Sequence, residues 1–275
     1  MLVVVPVNGF ANRLRAVASA WTLSSTLKRK LCVYWPRSDD MDKFFVPAFD
    51  EIFLTNDAVP DSLFTNIAEL PTDTKTYAGK HDGEQRFVPE IIRTPIDQTI
   101  ILQSGGVFKP PKMTDKEYNK LKSTFYNSLR LRPEIHLIVK QFIETHFTNK
   151  RVLGVHVRRQ DRKFETGPTN AFVDKISKLT NRFDIIFLCT DDKDEETRIR
   201  NTVRALPIVV HPKIDINRNT KEQFIDAVID WYLLSNTDMI LYSNGSSFGY
   251  EACFMKKLKC SIEVTQKSAH KSLDF

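Results

Sequence analysis

Short apolar runs rich in β-branched residues recur along this chain, separated by longer stretches of helical period, and that alternation restricts its fold more than any other feature. The runs are Leu2 to Pro6, Leu31 to Trp35, Thr99 to Gln103, Val152 to Val157, Asp184 to Thr190, Leu206 to Val210 and Met239 to Ser243. Helical spacing covers Asn12 to Leu27, Asp115 to Asn127, Pro133 to His146, Thr169 to Leu179, Asp194 to Ala205, Lys221 to Ser235 and Phe248 to Lys256. A strand covered by helices on both faces reads as a continuous apolar run, so the pattern predicts an α/β protein of βαβ units on parallel sheets.

The regularity lapses between Pro36 and Pro95, where Pro, Asp and Thr punctuate the chain and His81-Asp82-Gly83 marks a turn. A cleaner strand and helix series begins at Arg151. With 275 residues and 41% hydrophobic content there is room for two cores. We therefore expect two Rossmann-like domains, residues 1–130 and 131–275, with ligand bound beyond the carboxyl ends of their strands.

The net charge of +6 suits an anionic ligand, but the 40 basic residues are dispersed. No clustered basic face or groove of stacking aromatics stands out, so nucleic acid is not an expected partner. The four cysteines form no CxxC pair, and Cys32 and Cys189 sit within strand-like runs, which predicts buried free thiols rather than zinc. Met1 leads directly into Leu2-Val3-Val4-Val5, and no apolar run approaches the roughly 18 residues that a membrane helix needs. The expected setting is the cytoplasm as the chain stands, or a lumen if a targeting stalk has been removed.

The strand Val152 to Val157 runs into Arg158-Arg159-Gln160-Asp161, at the edge where a parallel sheet presents its ligand. A guanidinium offers a planar fork of donors matched to phosphate and remains charged in any surroundings. Such a fork can stabilise the charge that develops on a leaving nucleoside diphosphate. A lone arginine pair more often belongs to a surface Arg-Asp network, and a lone His156 to a satisfied histidine.

Gly154-Val155-His156-Val157-Arg158-Arg159-Gln160-Asp161 resembles the HxRRxD motif of the fucosyltransferase superfamily. That superfamily includes the α-1,6-fucosyltransferases, the nodulation fucosyltransferases and, more distantly, the protein O-fucosyltransferases. The resemblance implies a GT-B-like fold, with a donor cleft between an acceptor-side first domain and a nucleotide-binding second one. It implies an inverting, metal-independent transfer from GDP-fucose to a glycan or glycopeptide hydroxyl, with no cofactor besides the donor. By the same match His156 contacts guanine, Arg158 and Arg159 bind the diphosphate, and Asp161 holds the arginines in place.

Three further blocks fall in the order the family shows. Asp191 and Asp192 end an apolar strand, where they serve either as base or ribose contacts or, for Asp192, as the cap of the next helix. Asp230, ahead of Leu234-Ser235-Asn236-Thr237-Asp238, matches an acidic position that reads guanine, and Ser246 and Ser247 match a serine pair that opens a helix toward phosphate. At the amino end, Asn8-Gly9-Phe10-Ala11-Asn12-Arg13 is similar to the family's first loop, which implies that Asn12 and Arg13 face the donor. The catalytic base is assigned to Glu165, one place before the matching position at Thr166, with Asp39 and Asp40 in reserve. Two alternatives are another GDP-sugar such as GDP-rhamnose, and a nucleotide- or glycan-binding relative without catalysis.

Overall fold

The computed structural model describes residues 1–37, 45–54, 65–78, 84–159, 167–213, 220–255 and 261–265. Its described residues form two compact units that divide between Arg132 and Pro133, with Thr220 and Lys221 grouping with the first.

The first unit is built on a parallel sheet of β1 (Leu2–Pro6), β2 (Leu31–Val33), β3 (Thr65–Asn66), β4 (Lys75–Ala78) and β5 (Ile100–Ser104), in the order β3-β2-β1-β5-β4. Its helices are α1 (Phe10–Leu27), α2 (Phe49–Ile52), α3 (Val88–Arg93) and α4 (Asp115–Ser128). Every residue of β1 is buried, as expected for the central strand of a sheet covered on both faces. The first helix stops where Lys28 adopts a left-handed φ of 53°. The next residue, Arg29, donates to the carbonyls of Thr94, Pro95 and Gln98, so the turn into β2 is tied to the loop before β5. Ser19 of α1 and Tyr118 of α4 share a buried hydroxyl hydrogen bond of 2.7 Å.

The second unit comprises α5 (Pro133–His146), β6 (Val152–Val157), α6 (Thr169–Ser177), β7 (Ile185–Thr190), α7 (Lys193–Thr202), β8 (Ile208–Val209), α8 (Lys221–Ser235), β9 (Met239–Ser243), α9 (Ser247–Ala252) and β10 (Ser261–Val264). Its parallel sheet runs β10-β9-β6-β7-β8, so the order reverses at β6. Strand alternation separates two layers. Leu153, Val155 and Val157 pack with Phe172 and Ile176 of α6 and Ile199 of α7. The opposite face carries Phe187, against which Phe142 and Phe147 stand edge-on at 5.7 and 5.6 Å. On that face, too, a Cβ on Gly154 would lie 2.6 Å from Thr237 Oγ1 and 2.8 Å from Leu234, so glycine lets the end of α8 approach β6.

Several elements coincide with the sequence reading and others do not. The spans of β1, β6, β9, α5 and α8 agree residue for residue. The strand expected at Leu206 to Val210 pairs only at Ile208 and Val209, and the helix expected from Phe248 closes at Ala252. Among the described residues, the strands and α-helices without a sequence signal are α2, α3, β3, β4 and β10, each six residues or shorter. Cys32, Cys189 and Cys253 are buried free thiols, and burial pushes the pKa of Cys32 and Cys189 up.

Candidate functional site

The strand order reverses at β6, and the region beyond the carboxyl end of such a strand is where doubly wound sheets bind ligands. The loops after β6 and β9 meet there. The backbone N–H of Arg158 donates to Ser243 Oγ at 2.9 Å, and Ser246 Oγ lies 3.4 Å from His156 Nδ1. The imidazole stacks on Phe248 with ring centroids 4.8 Å apart. Gly249 allows this packing, because a Cβ there would meet Tyr242 Cβ at 2.3 Å and His156 Nδ1 at 3.2 Å. Ser246 precedes α9 as its cap residue and is buried, as is Ser247, the first residue of the helix.

The two arginines have different surroundings. Arg159 is buried, and its guanidinium donates to Glu195 Oε1 at 2.8 Å and to the Gly167 carbonyl at 3.1 Å, above the Phe172 ring. Its backbone N–H donates to Asp191 Oδ1 at 2.7 Å. Arg158 is half-buried and one place earlier, with the parity of His156. The structure therefore commits Arg159 to an internal ion pair. Asp192 caps α7 by accepting from the Glu195 N–H at 2.9 Å, which also sets Glu195 beneath Arg159.

Asp230 lies on α8 on the face of the sheet that carries His156. The register pairs His156 with Cys189, and the Asp230 charge helps to raise the Cys189 pKa after burial. Asp230 Oδ2 is bonded to Lys213 Nζ, and Oδ1 is 3.7 Å from His211 Nδ1. Burial works against charge on Lys213, but the carboxylate outweighs it and holds the ammonium above the ordinary lysine range. Burial lowers the His211 pKa despite the same carboxylate.

One turn earlier, burial and then the Asp230 charge push the Asp226 carboxyl up to about 6, against the pull of Lys213 and with a smaller push from Glu222. The folded chain thus holds this proton more tightly than the unfolded one, whose value is near 3.8. Its stabilising contribution is complete below 3.8 and is lost as pH rises to about 6. Denaturant titrations should show stability falling across that window, and Asp226→Asn should flatten the fall. A fall of unchanged size in the variant would assign it to other groups.

In the first unit Asn12 is half-buried in the opening turn of α1, after Asn8 at a left-handed φ of 68°. Arg13 is fully buried: Nε donates to the Asn8 carbonyl at 2.8 Å and NH1 to Pro36 at 3.0 Å, with the guanidinium over Trp35. It holds the loop between β1 and α1 to the end of β2. Asp161, Glu165, Thr166, Asp39 and Asp40 lie outside the described residues. Among the described residues no group of His, Cys, Asp and Glu is arranged to hold a metal ion, and no helix is long and apolar enough to cross a membrane.

Sequence reasoning passed over Glu195, His211, Lys213 and Phe248. Only Glu195 carried a signal, standing three places after the capping Asp192. The others depend on contacts between elements distant in the chain.

No protein-family model and no curated protein matches the chain. Its fold nevertheless recurs among solved structures, and the class it defines is the GT-B-like fold of fucosyltransferases. The fucosyltransferase NodZ from Bradyrhizobium is similar at TM-score 0.69 and 20% identity, over 95% of this chain and 94% of that one. FUT1 from Arabidopsis thaliana, in complex with GDP, gives 0.64 at 17% identity over 98% and 72% of the two chains. POFUT1 in complex with GDP-fucose gives 0.57 at 12% over 93% and 94%. At these identities the likeness is one of fold.

Proposed function

We propose that this protein is an inverting, metal-independent glycosyltransferase that moves fucose from GDP-fucose to a hydroxyl of a glycan or glycopeptide. The observation that carries the reading is the gathering of His156, Arg158 and the Ser243 to Ser247 turn at the strand-order reversal of a parallel sheet, in a fold shared with proteins solved with GDP or GDP-fucose. The second unit is assigned the nucleotide and the first the acceptor side.

In this mechanism the acceptor oxygen attacks fucose C1 as the bond from C1 to the β-phosphate oxygen breaks, which inverts the anomeric centre. Charge grows on the leaving diphosphate, and Arg158 stabilises it there. His156, oriented by Ser246 and Phe248, reads the guanine side of the donor together with the Asp230 region. Ser247 is assigned to phosphate, Asp161 to holding the arginines, and Glu165 to taking the acceptor proton.

Thermal-shift ranking of GDP, UDP and TDP with their sugars tests the reading, because a ligand bound only to the native state raises the melting temperature by mass action. GDP and GDP-fucose should give the largest shifts, and transfer should persist in excess chelator. A larger shift with UDP would overturn the donor assignment, loss of transfer in chelator would overturn metal independence, and faster turnover of GDP-rhamnose would reassign the sugar.

A further inference from the structure

At the carboxyl ends of β7 and β8 lies a pocket of about 220 Å³. Leu188, Val210 and Pro212 supply apolar wall, and His211 and Lys213 also line it. Its volume falls below the roughly 300 Å³ at which sites for whole small-molecule ligands begin, so it suits one planar ring rather than an entire nucleotide sugar. The Lys213 side chain is 17% exposed, and its ammonium is held from behind by Asp230 Oδ2 and faces the Thr190 carbonyl at 3.5 Å. An ammonium has three protons to donate and no lone pair to offer, so a third direction remains for an acceptor. Two neighbouring atoms reinforce the polarity of this corner: Asp230 Oδ1 and His211 Nδ1 are buried and make no hydrogen bond among the described residues.

We propose that Lys213 is the specificity-determining contact to the donor base, donating to a ring carbonyl oxygen such as guanine O6, with Asp230 as its positioning residue. The inference rests on the reading of the second unit as the nucleotide-binding half. It shifts the direct contact from the carboxylate to the lysine, because Asp230 Oδ2 is engaged by the ammonium and Oδ1 is buried. A donor-only group at the ring edge accepts a keto base and disfavours one with an amino group at the same position, whereas a carboxylate reading the base by itself would select for N–H groups, the 2-amino group included.

Calorimetric binding of three nucleoside diphosphates to the intact chain and to its Asp230→Asn variant separates these cases: GDP, IDP, which lacks the 2-amino group, and the 2,6-diaminopurine analogue, in which an amino group replaces O6 and N1 loses its proton. IDP should bind within about threefold of GDP, and the diaminopurine analogue at least about tenfold more weakly, the loss expected for one hydrogen bond to a charged group. Lys213→Met alone would strand a buried carboxylate, so it is paired with Asp230→Asn, and this double variant should bind GDP and the diaminopurine analogue within about threefold of each other. Asp230→Asn alone should keep the order of keto over amino base, since the lysine remains. A loss of about tenfold or more for IDP, or a keto preference that survives removal of Lys213, would overturn the proposal. If the double variant fails to fold, Asp230→Asn decides, because a keto preference owed to the carboxylate at N1–H would be lost there and one owed to Lys213 would be kept. A parent that binds none of the three brings down the nucleotide reading of the unit, a result distinct from GDP binding without the keto preference.

Discussion

Replacing Arg158 by alanine is expected to lower kcat/KM for fucosyl transfer by about a thousandfold, the upper end of what one charge-stabilising donor at a leaving group contributes. The melting temperature should stay nearly unchanged. The reason lies in the division of labour after β6. Strand alternation turns Arg159 toward Phe172 and Glu195 and leaves Arg158 with the parity of His156, and the backbone N–H that Arg158 donates to Ser243 is kept in the alanine variant. Single-turnover kinetics with GDP-fucose, alongside thermal denaturation, checks both halves of the expectation. Near-normal turnover would remove Arg158 from the diphosphate, and a large loss of stability would make it a structural residue instead.

The second large effect is on stability. Arg159 and Glu195 are each almost fully buried, with side chains 6% and 3% exposed, and Thr169 Oγ1 bonds the same carboxylate at 2.8 Å. Removing one partner takes the buried counterion from the other and leaves Glu195 only the largely exposed Arg198, 3.5 Å from its Oε2, which puts the cost at about 3–5 kcal/mol. Arg159→Met and Glu195→Leu should each lower the unfolding free energy by about that amount, while the double variant recovers most of it, because an apolar pair of similar volume needs no desolvation. Urea denaturation of the four proteins forms the cycle. If Arg159→Met abolishes transfer with stability intact, its guanidinium serves the donor after all.

These two experiments probe a division that the sequence cannot display. Arg158 and Arg159 are identical neighbours in the run, and what distinguishes them comes from residues distant in the chain, Glu195 being 36 residues downstream. What is legible is whatever depends on local pattern. The apolar run of β6 and the uninterrupted helical period of α5 and α8 state their own limits, whereas β3 consists of two exposed residues and β8 of two half-buried ones, too short for periodicity to register. The resemblance names His156 and the serine pair, whereas the ring that stacks on His156, Phe248, follows from the packing of α9 over β9. Lys213 was silent for the same reason: it follows a two-residue strand and finds Asp230 across the end of the sheet.

The buried thiols give each unit its own chemical clock. Cys32 belongs to the first unit, Cys189 and Cys253 to the second, and all three are sealed from reagent while their unit is closed. With Cys260, which lies outside the described residues, replaced by serine, pulsed alkylation followed by peptide mass analysis would time the opening of each unit separately. GDP should then protect Cys189 and Cys253 while leaving the labelling rate of Cys32 unchanged, provided the nucleotide binds the second unit alone.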